Sequence, residues 1–250
     1  MLAFFQVDST WAQPTRVDGN GDVSAGDGPS TPCEDGIVRD DGTAETAWGW
    51  VPTVVDGRYV QEFALDEMPT NNIDRFCVCW RRTNTDTDID FEVHFYRHER
   101  FVDEDDGKVV WVPELEPYAV VPATGTNITD DVAGTWVEVD LGGVEPPLGP
   151  FFSVGVKWDS SQEDSFFVCG DTSLETPRSN VWFIDDRASG WASVLNTIDP
   201  IFNVHRAFMM RIVPGPQLPT AIEVPGPDVK GLLILALAIG LIAAWVVRRL

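Results

Sequence analysis

The chain has 250 residues, with 40 acidic against 17 basic side chains and a formal charge of −23. Charge of that sign and size excludes nucleic acid and anionic lipid as partners, because both repel it. Ten tryptophans and 14 phenylalanines supply apolar area for one core, and the length fits one domain.

The first 13 residues, MLAFFQVDSTWAQ, carry a short apolar stretch from Leu2 to Phe5, then Asp8. Thr10 and Ala12 are small enough for the −3 and −1 positions of a cut before Gln13. Residues 1–13 therefore read as the remnant of a signal peptide. Residues 14–37 are rich in Gly, Asp, Ser and Pro and read as an acidic arm. Within it Asp18, Asn20 and Asp22 alternate as oxygen ligands do in calcium loops. Val23 stands where such a loop needs glycine, and Pro29 where it needs its closing carboxylate. A solvated arm is expected, with calcium as a weakly held ion and no other cofactor.

From residue 38 to 213, short apolar alternations recur between clusters of Asp, Asn, Gly and Pro. IDFEVHFYR puts Phe91, Val93 and Phe95 on one face and Glu92, His94 and Tyr96 on the other. FFSVGVKW does the same with Phe152, Val154, Val156 and Trp158. RFCVCW, TWVEVDL, SFFVCGD, NVWFID and RAFMMRIV are further strands. No helical period runs through this region, so the fold class is all-β, an antiparallel β-sandwich of jelly-roll type.

The cysteine count is even, as in exported disulfide proteins. Cys77 and Cys79 share a strand face two residues apart and cannot readily bond each other. Each needs a partner from Cys33 and Cys169. Cys79–Cys169 joining two strands, with Cys33–Cys77 tying the arm to the domain, is the favoured arrangement, and the swapped pairing is the alternative. Each bridge is worth about 2–4 kcal/mol through restriction of the unfolded chain.

Candidate chemistry is sparse. His94 and His98 would share a zinc ion on a helix, but on a strand they stand about 13 Å apart. Asp86, Asp88 and Asp90 read as a loop running into a strand, and Asp103–Asp106 as a hairpin tip. The serine in Asp171-Thr172-Ser173 has no histidine at a hydrolase spacing, and no nucleophile-elbow motif occurs, so no enzyme is expected. Trp48 and Trp50 beside an acidic turn are the candidate ligand-binding residues, offering rings to a sugar face, although burial of both is the favoured reading. Trp80, Trp136 and Trp158 alternate with Val or Phe and read as core.

Residues 214–230 form a Pro-rich spacer. Residues 231–247 are apolar all round, and at about 1.5 Å per residue they span roughly 25 Å, close to a bilayer core of about 30 Å. They read as a transmembrane helix, with Trp245 in the interfacial belt and residues 248–250 as a basic cytoplasmic tail. The rest of the chain then lies on the exported side, anchored in the inner membrane or released to the cell surface.

Val224-Pro225-Gly226-Pro227, the apolar helix and the terminal pair Arg248-Arg249 resemble the tripartite bacterial sorting signals called PEP-CTERM and IPTL-CTERM. The resemblance implies processing by a membrane-embedded, sortase-type transpeptidase. Gly226 replaces the glutamate of the former motif. The domain resembles an uncharacterised β-sandwich module of secreted bacterial proteins. The likeness rests on DDGTAETAWGW (Asp40–Trp50), YVQEF, VCW (Val78–Trp80), VGVKW and FFVCGDTS, and implies an envelope location without a reaction. The expected function is a surface-anchored structural or interaction module of the envelope or extracellular matrix, binding a surface protein. The alternative is a carbohydrate-binding, lectin-like domain with a glycan ligand, assisted by calcium.

Overall fold

The computed structural model describes residues 15–18, 33–49, 57–83, 85–102, 107, 109–159, 166–172, 180–184, 190–193 and 207–216. All lie in the first of the two units into which the chain divides, Met1–Gln217 and Leu218–Leu250. The strands are β1 (Thr15–Asp18), β2 (Thr46–Gly49), β3 (Gly57–Ala64), β4 (Ile73–Arg82), β5 (Ile89–Val102), β6 (Val109–Pro113) and β7 (Ala119–Gly125). They continue as β8 (Thr135–Val144), β9 (Phe151–Trp158), β10 (Phe166–Asp171), β11 (Val181–Ile184), β12 (Ala192–Ser193), β13 (Ala207–Phe208) and β14 (Met210–Pro214). Among the described residues the one helical element is a 3-10 turn, Leu65–Glu67.

Among the described residues every pairing is antiparallel, and the strands form two seven-stranded sheets. The first runs β1-β2-β10-β4-β14, with β13 on β10 and β8 on β4. The second runs β12-β11-β3-β9-β5-β6, with β7 also on β5. Both sheets send alternate side chains into one shared core, the arrangement of a β-sandwich. Phe76, Val78 and Trp80 of β4 meet Phe91, Val93 and Phe95 of β5 and Phe152, Val154, Val156 and Trp158 of β9 there. Each such ring or branched chain taken fully out of water stabilises the fold by about 1.5–3 kcal/mol. Trp80 sits edge-on to Trp158 with centroids 5.0 Å apart, and Tyr59 stacks on the same indole at 5.6 Å.

Two features, in β1 and at Trp136, depart from the sequence expectations, and Trp48 follows the favoured one. Thr15–Asp18, inside the presumed arm, is a strand whose register sets Thr15 opposite Gly49 and Asp18 opposite Thr46. Trp48 is 1% exposed within the shared core, so its ring has no face to offer a sugar. Trp136 is not core: it lies on the outer side of the first sheet, against both disulfides and 4.4 Å from the Arg211 guanidinium.

β4 and β10 diverge below the Trp80–Val168 pair, and the chain of β13 and β14 wedges into the fork. Met209 holds both arms: its N–H donates to the Cys169 carbonyl at 2.9 Å, and its carbonyl accepts from Cys79 N–H at 3.0 Å. The Cys79–Cys169 disulfide closes over this fork, joining Cα atoms 5.3 Å apart. Gly134, at φ +69°, covers the bridge where any Cβ would come within 2.5 Å of both sulfurs.

The outer side of the first sheet is sealed by the segment from Cys33 to Glu45. Cys33 bonds Cys77, the favoured pairing. Ile37 N–H donates to Ile212 O at 2.8 Å. Asp40 and Arg211, both buried, make a two-pronged ion pair with hydrogen bonds of 2.5 and 3.1 Å. Arg39 clamps Glu67 through both terminal nitrogens, and this holds the Glu67 carboxyl below its ordinary range.

Candidate functional site

The outer side of the second sheet is built differently. With Phe91, Val93 and Phe95 turned inward, strand alternation sends Asp90, Glu92, His94, Tyr96 and His98 of β5 outward as one polar row. Register then fixes their neighbours: Glu92 faces Lys157 and Pro122, His94 faces Gly155, and Tyr96 faces Ser153. Glu62 of β3 stands across from Ser153 on the other side. Gly155 is obligatory for the close packing here, since a Cβ would meet the Tyr59 carbonyl oxygen at 2.0 Å.

One end of the row is dry. His98 Nε2 and Ser153 Oγ are 2.7 Å apart, and His98 Nδ1 lies 3.6 Å from Glu62 Oε2. Burial depresses the His98 pKa to about 4, so the imidazole is neutral near pH 7. Burial raises the Glu62 carboxyl, opposed by hydrogen bonds from Asn180 and by the charge of Arg39. Serine, histidine and glutamate in this order have the composition of a nucleophilic relay. Ser153 is fully buried in mid-strand between β3 and β5, and the His98 side chain is equally buried, so no substrate atom reaches the hydroxyl.

The middle of the row is an aromatic cover over a relay. Trp182 and Val60 are buried with Tyr96, and Trp191 packs edge-on to Tyr96 at 5.0 Å while donating its indole N–H to Glu114 O. Tyr96 is held protonated by burial and donates to His94 Nδ1 at 2.8 Å. His94 Nε2 therefore carries the proton and donates to Glu92 Oε2, also at 2.8 Å. Burial lowers the His94 pKa, with Glu92 pulling the other way.

The far end opens to solvent as a cleft of about 650 Å³ lined by Asp90, Glu92, Pro122, Thr124, Lys157 and Asp159. Thr124 Oγ1 donates to Asp90 Oδ1 at 2.7 Å, and Lys157 Nζ stands 3.9 Å from Glu92 Oε2.

His94 and His98 sit on one strand with separate partners, Tyr96 and Glu92 for the first and Ser153 for the second. Asp88 accepts from Asn127 N–H at the mouth of β5, fitting the loop expected there. Carboxylates do converge elsewhere: oxygens of Asp41, Glu45 and Asp171 lie within 4.8 Å of one another and could hold a divalent cation. Asp41 N–H donates to Asp171 across 130 positions of sequence, so only the pairing of β2 with β10 brings the trio together. Cys33 and Cys77 stand near Glu138, but their sulfurs are spent in a disulfide.

Of the calcium candidates, Asp18 ends β1, while Asn20 and Asp22 lie outside the described residues, as do Trp50 and Asp103–Asp106. Val224, Pro225, Gly226, Pro227, the apolar segment 231–247, Arg248 and Arg249 lie outside them too. Among the described residues no helix is long and apolar enough to cross a membrane. Compared with protein-family models, curated proteins and solved structures, the chain matches none.

Proposed function

We propose that the protein is an exported, non-catalytic interaction module of the bacterial envelope or extracellular matrix, held at the membrane by its C-terminal apolar segment and sorted through the terminal motif. The observation that supports this most is the pair of disulfides. One closes the fork in the first sheet and the other ties Cys33 across the outer side of that sheet. Disulfides in this role persist in oxidising compartments and are rare in a reducing cytosol. The acidic surface suits a displayed protein, and the one serine–histidine–glutamate grouping described above is closed to substrate.

The test is made on the full chain produced in a bacterium with an envelope. Thiols are trapped by alkylation in intact cells, and membrane and soluble fractions are compared for the parent and for Arg248→Ala/Arg249→Ala. The reading expects four oxidised cysteines, a membrane-held form, and altered processing or orientation in the double variant. Four alkylatable thiols in freshly lysed cells would overturn it.

A further inference from the structure

We propose that the cleft at the open end of the second sheet binds a neutral, polyhydroxylated ligand, a segment of glycan. The inference rests on reading the domain as an interaction module, and names where and what it binds. The cleft is a rigid feature of the sheet. Its floor is the paired main chain of β7, β5 and β9, because Phe91, Ala123 and Trp158 point away into the core. Its volume, about 650 Å³, is that of small-ligand sites.

The walls decide the chemistry. Asp90, Glu92 and Asp159 present carboxylates on one short stretch of surface, which repels anionic ligands. Lys157 places an ammonium beside Glu92, which offsets part of the carboxylate charge and sets a donor among the acceptors. What fits acceptors set beside a donor is a pair of neighbouring hydroxyls. Each gives its O–H to a carboxylate and takes an N–H from lysine at its oxygen, forming the charge-assisted bonds that are the stronger kind.

Glu92 is prepared for that role. His94, itself oriented by Tyr96, grips Oε2 at 2.8 Å, and Oε1 takes no hydrogen bond within the described structure. The carboxylate is therefore held in place before a ligand arrives, which reduces the ordering cost of binding. Pro122 adds an apolar rim against which the C–H face of a sugar can rest. Trp48, the earlier candidate, plays no part.

The experiment uses the full-length, oxidised chain in detergent micelles. It is titrated calorimetrically with neutral oligosaccharides (cellohexaose, mannohexaose and chitohexaose), with spermidine as a cationic probe and heparin as an anionic one. Glu92→Gln and Lys157→Met test the cleft, and Asp35→Asn on the opposite side of the sandwich is the control. Thermal melts report whether each variant folds. The proposal expects a neutral oligosaccharide to bind, with affinity falling about tenfold or more in either cleft variant and unchanged in the control. A blank across the neutral sugars overturns it. So does sugar binding indifferent to both cleft variants, and so does binding of spermidine or heparin alone. Export is read separately by thiol trapping, so a blank here leaves that reading standing.

Discussion

The two outer faces of the sandwich use the same pleat for opposite ends. On the first sheet, the outward row Cys77, Cys79, Cys169 and Arg211 is consumed by covalent and ionic ties to the segment that crosses it. On the second, the outward row from Asp90 to His98 is closed at one end, roofed by tryptophan in the middle and open at the other. The first face spends its outward groups on ties that hold the fold, whereas the second keeps a carboxylate, Glu92, oriented at a solvent edge. The difference lies in the covering segments, since the strands beneath are alike.

Breaking the sealed face has the largest expected effect. Asp40→Ala removes the two-pronged carboxylate partner of the buried Arg211 guanidinium and is expected to cost about 3–5 kcal/mol in denaturant unfolding. Replacing Cys33 and Cys77 together by alanine releases the covering segment and is expected to cost about 2–4 kcal/mol, with the Cys79–Cys169 bridge intact by mass spectrometry.

The dry end of the other face responds to acid. The His98 pKa falls from 6.5 unfolded to about 4 folded, so the unfolded chain binds the extra proton between those values. Stability from neutral His98 is complete above pH 6.5 and is lost as pH falls toward 4. His94 adds in the same direction, while Glu62, whose carboxyl is raised, gains stability as pH falls and partly offsets both. The His98 contribution alone is roughly 3 kcal/mol. Melting temperature measured from pH 7 to pH 4 should drop in the parent and flatten in His98→Gln. Smallest of all, Glu92→Gln at the open end should change stability by less than about 0.5 kcal/mol, as surface substitutions do. A cost above 2 kcal/mol would make the open end as structural as the sealed one and erase the contrast.

Legibility in the sequence followed alternation. FFSVGVKW reads as a strand because one face is apolar and the other small or polar, and β9 has those bounds. Strand parity forbids Cys77–Cys79 but does not choose between the two pairings that remain, a choice made by the packing of β10 and of the Cys33 segment against β4. GRYVQEFA of β3 shows no strand period because it is buried on both faces, with Val60 beneath Trp182. Trp136 misled for the converse reason, since the covering segment supplies the outer face with an apolar layer that sequence alone assigns to the core. The polar row of β5 was visible from Glu92 to Tyr96, but its meaning was not. Ser153, Glu62 and Lys157 come from two other strands, and only register places them beside it.

The wedge of β13 and β14 into the fork has a mechanical consequence. Any load drawn through the residues beyond Pro216 enters the domain at β14, which ends the strand order of the first sheet and is held along β4. β14 is bonded along β4, bridged by Ile37 on Ile212, and continuous through Met209 with β13 on β10. A pull along its axis loads these bonds in shear, so many must fail together, and the disulfide keeps the two arms of the fork from spreading to let the strand slip out. A pull on the chain beyond Pro216 therefore has to break the β14 ladder and the Met209 links as a set.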